Sequence, residues 1–207
     1  MSEEEVDNKV DNSNKVIFLG ESSVGKTNLI KVSVGKPFDP HSMRTCTSSF
    51  LPKEFIYNNK RYIFNLWDTI GEEKYRSVTK MFFKGAIIVL LIYDITKKSS
   101  FDALCYWLEE VKNEIGNNFI LGVVGNKSDL YIDEEVSQEE AKNFAESKRG
   151  KFKISSAKED PLSFIEFLEE LFKDYIDNYE NKKLEKPRGL TNRQKTEKKK
   201  DSQSTCC

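Results

Sequence analysis

The chain contains 207 residues, with 33 Lys and Arg against 34 Asp and Glu and a formal net charge of -1. This length suits one compact domain with tails, and the 38% of hydrophobic residues are enough to build a core. The composition excludes a collagen, a coiled coil and an integral membrane protein. The near-neutral total combines two segments of opposite net charge. Residues 181–207 hold nine basic and three acidic side chains, whereas the other 180 residues hold 24 basic and 31 acidic ones.

Composition divides the chain into three segments. Residues 1–14 contain five acidic side chains and one Lys, the opposite of the basic start and apolar core of a signal peptide. We therefore expect a disordered acidic arm. From about residue 181 the apolar periodicity stops, and Lys, Arg, Gln, Ser and Thr dominate. The sequence predicts one globular domain over residues 15–180 and a disordered basic tail over residues 181–207.

Strands and helices alternate along the predicted domain. The patterns indicate strands at 15–19, 50–57, 62–67, 86–93, 120–125 and 152–155, and helices that begin near residues 26, 100, 137 and 161. Asn58-Asn59 is a turn dipeptide between the second and third strands, and Pro52 places the second strand at a sheet edge because proline cannot donate to a ladder. The strands at 86–93 and 120–125 are apolar on both faces. We predict an α/β fold, a six-stranded, mostly parallel sheet with one antiparallel edge strand and helices on both faces.

Two of these helices have recognisable start signals. Ser100 is predicted to cap a helix whose apolar face includes Phe101 and Leu104. Asp160 followed by Pro161 is typical of a helix N-terminus, with the carboxylate as the cap and proline in the first position.

A phosphate-binding motif follows the first strand, at the sheet edge where ligands bind in such folds. The motif G-x-x-x-x-G-K-[ST] is matched by Gly20, Glu21, Ser22, Ser23, Val24, Gly25, Lys26 and Thr27. Its glycines let backbone N–H groups and a helix N-terminus face phosphates, Lys26 reaches the β and γ oxygens, and Thr27 offers a hydroxyl to Mg²⁺. A chance Gly- and Ser-rich turn is the alternative, which the flanking strand and helix disfavour. The motif predicts a nucleotide site without identifying the nucleotide.

Two further motifs follow the last two strands. They are Asn126-Lys127-Ser128-Asp129, after the strand at 120–125, and Ser156-Ala157-Lys158, after the strand at 152–155. An ionised Asp129 carboxylate only accepts hydrogen bonds, so it pairs with the ring N–H and the exocyclic amine of guanine, a pair that adenine does not offer. A plain helix-capping turn is the alternative for the first of the two motifs.

With these motifs, the chain resembles the small Ras-like GTPases over residues 15–179. The resemblance implies a P-loop NTPase fold, the small G-domain, with GTP or GDP and Mg²⁺ as ligands. It further implies that Asn126 buttresses the base-binding loop and that Lys127 packs on the purine. By the same resemblance, Ser156, Ala157 and Lys158 complete the base pocket.

Within that superfamily, the chain looks most like a Rab. The resemblance is carried by Leu66-Trp67-Asp68-Thr69 with Gly71, by Tyr75-Arg76-Ser77-Val78-Thr79, by Tyr93-Asp94-Ile95-Thr96 with Ser100-Phe101, and by Cys206-Cys207. It implies a GTP-hydrolysing switch in vesicle trafficking at the cytoplasmic face of an endomembrane, cycling with the cytosol. The partners it implies are effectors, an exchange factor, an activating protein, an escort protein and a dissociation inhibitor, with no nucleic acid. Phe50, Trp67 and Phe82 fall where Rabs carry an aromatic triad that meets effectors, and core packing is the alternative.

The same resemblance identifies two segments that sense the γ-phosphate. Thr45 falls at the switch I threonine, whose hydroxyl binds Mg²⁺ and whose N–H meets the γ-phosphate, and a plain polar loop residue is the alternative. Asp68 and Gly71 keep the pattern D-x-x-G, in which Asp68 reaches Mg²⁺ through water and the Gly71 N–H touches the γ-phosphate. After Thr45, the usual Ile-Gly is replaced by Cys46-Thr47.

Two positions in the second segment depart from the family pattern. Ile70 stands where the family has Ala, and Glu72 stands where it has the water-positioning Gln. A Gln amide both donates and accepts, whereas an ionised Glu only accepts and adds charge near an anionic phosphate. We assign catalysis to Lys26, Thr45 and Glu72 and expect slow, poorly stimulated hydrolysis, although a carboxylate that orients water would preserve the intrinsic rate. The alternative function is a membrane-anchored effector-binding module whose hydrolysis is impaired.

The four cysteines do not form a disulfide framework, which makes a reducing compartment the simpler expectation. Cys206 and Cys207 are adjacent and follow a basic segment. The pair resembles the site at which Rabs accept two geranylgeranyl groups. Two such lipid groups anchor a protein stably to a membrane, whereas a single one gives only marginal binding. Two thiols on a solvated tail are the alternative.

Overall fold

The computed structural model describes residues 14–42, 45, 48–70 and 80–185, with only the helical backbone for residues 179–185. Its strands are β1 (Lys15–Leu19), β2 (Ser49–Tyr57), β3 (Lys60–Asp68), β4 (Ala86–Asp94), β5 (Ile120–Asn126) and β6 (Lys151–Ile154). Within the described residues they form one sheet in the order β2-β3-β1-β4-β5-β6. Strands β2 and β3 are antiparallel, and the other neighbouring pairs are parallel. The predicted sheet is therefore confirmed.

The helices lie on both faces of this sheet. They are α1 (Lys26–Ser33), α2 (Lys98–Asp102), α3 (Leu104–Ile115), α4 (Gln138–Ser147) and α5 (Pro161–Glu185), with short 3-10 helices at Lys80–Phe82 and Ser128–Asp133. Side chains alternate along a strand, so Val16 and Phe18 of β1 join a core with residues of α1 and α5. Ile17 and Leu19 join a second core with residues of α2, α3 and α4. Both faces of the central strands are consequently buried, as their continuous apolar sequence predicts.

The β2–β3 hairpin follows the prediction closely. Its two strands pair in antiparallel register from Ser49 opposite Asp68 to Tyr57 opposite Lys60. Asn58 and Asn59 both have positive φ, 51° and 60°, as a tight hairpin turn requires. Strand β2, which contains Pro52, lies at one edge of the sheet, as predicted.

The prediction that the second helix starts at Ser100 is wrong. This segment forms two helices, and Ser100 lies inside α2 instead of capping a longer helix. The Ser100 hydroxyl donates to the carbonyl of Lys97 at 2.7 Å and accepts from the N–H of Asp94 at 3.1 Å. These local side-chain-to-backbone bonds satisfy the turn that leads out of β4, a role that competes with helix capping.

The last helix starts as predicted and extends further. Pro161 is its first residue, and the N–H of Ser163 donates to Asp160 Oδ1 at 3.2 Å, which is the expected cap. The helix continues to Glu185, five residues beyond the predicted domain boundary at residue 180. No helix among the described residues combines the length and the apolar character needed to cross a membrane.

Candidate functional site

The phosphate loop connects β1 to α1, in the strand–turn–helix context that the sequence predicts. Gly20 has φ of 142°, and a Cβ there would lie 2.1 Å from the carbonyl oxygen of Ile92, so only glycine fits. Gly25 adopts a left-handed conformation immediately before α1. Together these glycines let the backbone turn tightly back toward the N-terminus of the helix.

Lys26 is enclosed by this loop. Its Nζ donates to the carbonyl oxygens of Gly20 and Glu21, each at 2.8 Å, and the residue is only 6% exposed. Burial lowers the pKa of Lys26 to about 8, although the carboxylates of Asp68 and Glu21 oppose the shift. The loop therefore holds a partly desolvated cation whose charge an anionic ligand would stabilise.

Thr27, Thr45 and Asp68 meet beside this lysine. The Thr27 hydroxyl donates to Asp68 Oδ2 at 2.6 Å, the Thr45 hydroxyl donates to the same oxygen at 3.2 Å, and the two hydroxyl oxygens lie 2.9 Å apart. Asp68 Oδ1 is buried and has no hydrogen-bond partner among the described residues. Burial raises the pKa of the Asp68 carboxyl, and the hydrogen bond from Thr27 opposes that rise. The structure thus brings the three predicted metal-site residues together as a set of hard oxygen donors.

The base-binding motifs meet at the carboxyl ends of β5 and β6. Ser156 Oγ donates to Asp129 Oδ1 at 2.6 Å, and Lys158 Nζ lies 3.8 Å from Asp129 Oδ2. Ser156 Oγ also accepts from the N–H groups of Lys158 and Glu159 at 3.2 and 3.0 Å. Asp129 is thereby held in one orientation by the loop that follows β6.

Asn126 joins the base-binding loops to the phosphate loop. Its Nδ2 donates to the carbonyl of Val24 at 2.8 Å, and its Oδ1 accepts from the N–H of Ala157 at 3.2 Å. The residue is 1% exposed. These contacts agree with the buttressing role that the resemblance implies.

Lys127 has a partner that the sequence does not indicate. Its Nζ lies 2.6 Å from Asp94 Oδ2, and its backbone is left-handed with φ of 67°. Asp94 is 1% exposed, and its Oδ1 accepts from the N–H and the hydroxyl of Thr96. A buried carboxylate with hydrogen bonds to both of its oxygens therefore fixes this lysine, which lines the cavity described below.

A second contact missed from the sequence supports the phosphate loop from the other side of the sheet. The indole Nε1 of Trp107, in α3, donates to Glu21 Oε1 at 3.2 Å. Trp107 is 1% exposed. Glu21 therefore contacts a helix with its side chain, while its carbonyl accepts from Lys26.

One cavity of about 470 Å³ connects these parts. Its lining includes Ser22, Ser23, Gly25, Lys26 and Thr27 from the phosphate loop, Thr45, and Asn126, Lys127, Asp129, Ala157 and Lys158 from the base-binding motifs. The Val24 side chain belongs to the core. Among the described residues predicted to bind the nucleotide or the metal, four others are also not lining residues: Gly20, Glu21, Asp68 and Ser156. Phe38, Asp39 and Pro40 also line the cavity, although sequence reasoning did not select them. The available signal was Phe38 itself, an aromatic residue that directly follows Pro37 in an otherwise polar loop.

The three residues predicted to contact effectors form a continuous aromatic cluster. The ring centroids of Phe50 and Trp67 are 5.0 Å apart, and those of Trp67 and Phe82 are 5.8 Å apart. Phe50 is 48% exposed, and Lys15 Nζ lies 4.3 Å from the centroid of Trp67. The cluster therefore has an exposed face as well as contacts to the sheet.

Four predicted site residues lie outside the described part of the chain. They are Gly71, Glu72, Cys206 and Cys207. Ile70, immediately before this gap, is described, and it is 6% exposed.

The fold and the cavity together define a P-loop nucleotide-binding domain of the α/β class. The sequence matches the Ras family over residues 15–179. It is 35% identical to the Ras-related protein RABA4d of Arabidopsis thaliana over 168 residues, which cover 80% of this chain and 76% of the relative. It is 38% identical to the GTP-binding protein ypt3 of Schizosaccharomyces pombe over 152 residues, 73% of this chain and 65% of the relative.

A third relative covers more of the chain. The Ras-related protein Rab11C of Nicotiana tabacum is 34% identical over 190 residues, 88% of this chain and 86% of the relative. The chain therefore belongs to the Ras family, as a Rab-type small GTPase.

Proposed function

We propose that the protein binds GTP and GDP with Mg²⁺ in the described cavity and hydrolyses GTP, acting as a membrane-attached switch in vesicle trafficking. The observation that carries the proposal is one cavity lined by Lys26 and Thr27 at one end and by Asp129 and Lys158 at the other. A cation and a hydroxyl suit a polyphosphate, and a fixed carboxylate suits guanine. The membership of the Ras family supports the same assignment.

At the phosphate end, Lys26 is the principal charge. Its contacts with the carbonyls of Gly20 and Glu21 keep the ammonium group inside the loop. Phosphate oxygens near this group would raise its pKa from about 8 and keep it protonated. Charge-assisted hydrogen bonds of this kind hold the phosphates in place for reaction.

The oxygen cluster beside Lys26 fits Mg²⁺. Hydroxyl and carboxylate oxygens are the ligands that this ion prefers, and the unpartnered Asp68 Oδ1 is a buried acceptor available to an ion or its water. In the proposal, Thr27 and Thr45 bind the ion directly and Asp68 binds it through water. When bound, Mg²⁺ neutralises charge on the phosphate oxygens.

At the base end, Asp129 selects guanine. Its carboxylate is oriented by Ser156 and accepts from two guanine donors, whereas adenine presents an acceptor at the ring position. Lys127, held by Asp94, is proposed to pack its aliphatic part on the purine.

The experiment that tests this proposal compares fluorescent GDP and ADP on the purified full chain. We expect tight binding of GDP and little binding of ADP, and Asp129→Ala should abolish the preference. Asp133→Ala is the matched control, because Asp133 is an exposed carboxylate in the same 3-10 helix and is not among the cavity-lining residues. Equal affinities of the wild type for the two nucleotides would refute the assignment.

The hydrolysis-impaired, membrane-anchored effector-binding module remains a second candidate, and Ile70 is the observation that favours it. The bulky side chain is 6% exposed and follows Thr69, which lines the cavity. A β-branched side chain has little rotational freedom about χ1, and here it is buried at a position where the family carries the smaller Ala. Glu72, two residues later, is the proposed catalytic residue in place of Gln.

A single-turnover assay separates the two functions. We expect Glu72→Gln to hydrolyse GTP faster than the wild type, with a larger difference when a Rab activating protein is added. Equal rates with and without that protein would contradict the proposed role of Glu72. Bound GTP in the purified protein with no turnover would favour the module.

Partner and membrane contacts complete the proposal. The exposed aromatic cluster of Phe50, Trp67 and Phe82 is suited to effectors. Two geranylgeranyl groups on Cys206 and Cys207, with the basic residues before them, would hold the protein on the cytoplasmic face of an anionic endomembrane. Mass spectrometry of protein from its native cell tests this part, and unmodified cysteines in the membrane fraction would contradict it.

A further inference from the structure

The loop that follows α1 is tied back onto that helix by the side chain of Asn28. Its Nδ2 donates to the carbonyl oxygen of Asp39 at 3.0 Å, and its Oδ1 accepts from the N–H of Asp39 at 3.1 Å. One primary amide thus satisfies both backbone groups of one loop residue. Such a reciprocal pair fixes the loop position more tightly than a single hydrogen bond.

An ion pair strengthens the same attachment. Lys31, one helical turn after Asn28, lies with its Nζ 3.0 Å from Asp39 Oδ2. The other oxygen, Asp39 Oδ1, accepts from the N–H of His41 at 3.0 Å, and the N–H of Ser42 donates to the carbonyl of Asp39 at 3.2 Å. The hydrogen bond from Lys31 lowers the pKa of Asp39, so the carboxylate is charged at neutral pH. Asn28, Lys31 and Asp39 are called the α1 latch below.

The residue that the α1 latch would hold in place is Phe38. It directly precedes Asp39, packs partly buried against the core beneath α1 and α5, and lines the cavity together with Asp129 and Lys158. Because the backbone of Asp39 is bonded to Asn28, the adjacent ring has little freedom to leave the cavity. The α1 latch therefore links a helix that begins at the phosphate loop to an aromatic wall at the base end.

We propose that the α1 latch is a positioning device that keeps Phe38 against the bound base and thereby slows nucleotide release. This inference rests on the proposed guanine nucleotide site, and it concerns residence time and not base selection. Asn28 and Asp39 line the cavity themselves, whereas Lys31 is not among its lining residues and acts through Asp39 and Phe38. Base selection belongs to Asp129. Opening the α1 latch should accelerate the release of GDP without changing the preference for GDP over ADP.

The two halves of the α1 latch should contribute unequally. Asn28→Ala removes both backbone contacts, and two hydrogen bonds of ordinary net strength correspond to about a thirtyfold faster release. Lys31→Met removes a pair whose side chains are 29% and 42% exposed, and an exposed pair of this kind corresponds to about a threefold effect. The Lys31→Met effect should shrink in ~1 M salt, because screening weakens the pair in the wild type.

The experiment measures the release rate of fluorescent GDP from the full chain in wild type, Lys31→Met, Asp39→Asn and Asn28→Ala. Lys36→Met is the matched control, since Lys36 belongs to the same loop and forms no ion pair within the described ranges. Its release rate should equal that of the wild type. The charge-reversed double variant Lys31→Asp with Asp39→Lys should restore most of the slow GDP release that either single charge reversal abolishes.

A double-mutant cycle with Phe38→Ala separates positioning from a merely structural role. If the α1 latch acts through Phe38, the double variant Lys31→Met with Phe38→Ala should release GDP at the same rate as Phe38→Ala alone. Full additivity of the two effects, or wild-type release rates in all three α1 latch variants, would overturn the inference while GDP binding itself persists. Failure of the wild type to bind GDP would instead overturn the proposed function and the α1 latch with it.

Discussion

Asn126 offers the sharpest test of how the two halves of the site are joined. The change Asn126→Ala removes a side chain that is 1% exposed and bonded to the phosphate loop and the loop after β6. The variant leaves the Val24 carbonyl and the Ala157 N–H without their partner. It should therefore damage folding stability and nucleotide binding at once.

The magnitude follows from the two hydrogen bonds, at 2.8 and 3.2 Å. Each buried group left unpaired costs about 1–3 kcal/mol, so the variant with two such groups should lose about 2–6 kcal/mol of unfolding free energy. For a domain of this size, roughly 2–4 °C is lost per kcal/mol, which corresponds to a fall in Tm of about 4–24 °C.

The assay combines thermal unfolding of the GDP-bound protein with the GDP release rate. Asn113→Ala is the control, because Asn113 is exposed on α3 and alanine favours a helix there. It should leave both measurements nearly unchanged. A Tm within about 2 °C of the wild type together with unchanged release for Asn126→Ala would refute the reasoning.

Three further predictions follow from the phosphate loop. Because Lys26 has a pKa of about 8 when free and should keep its proton beside phosphate, GDP binding should take up protons at pH 8 but not at pH 6.5, and GDP affinity should fall as the pH rises above about 8. Titration calorimetry in two buffers of different ionisation enthalpy measures this uptake, and no difference at pH 8 would contradict it. Trp107→Phe removes the indole N–H from Glu21 while keeping an aromatic ring, so GDP release should accelerate by about twofold to tenfold with a loss of about 1 kcal/mol in urea unfolding; unchanged release would count against the contact. Gly20→Ala should cost more than about 3 kcal/mol in the same urea experiment, because its Cβ would lie 2.1 Å from the carbonyl oxygen of Ile92 and φ is 142°; wild-type stability would contradict this geometry.

The sequence predicts the fold well where its signals are local. The strand at 15–19, the glycine-bounded turn after it and the helix from Lys26 are confirmed, because an apolar run, two glycines and the helical spacing of apolar residues specify these elements directly. Pro52 correctly identifies the sheet edge. The prediction that Ser100 caps a helix is wrong because serine also stabilises turns through side-chain-to-backbone hydrogen bonds. Here its hydroxyl donates to the carbonyl of Lys97.

Much of the site depends on contacts between distant residues, which periodicity does not reveal. Asp94 meets Lys127 because β4 and β5 are parallel neighbours with Asp94 opposite Asn126, a register known only from the sheet. Trp107 and Glu21 are 86 residues apart in the chain. Motifs therefore identify residues that contact a ligand, whereas the residues that hold those motifs in place emerge only from the packed structure.

The outer strand β2 has a consequence for behaviour at high local concentration. An open strand edge offers N–H and C=O groups to the edge of another copy, which is a route to aggregation. Pro52 removes one donor from this strand, and the exposed Glu54, two residues later, places a charged side chain on it. The strand that completes the sheet also discourages its extension by a second molecule, which allows many copies to crowd together without fusing edge to edge.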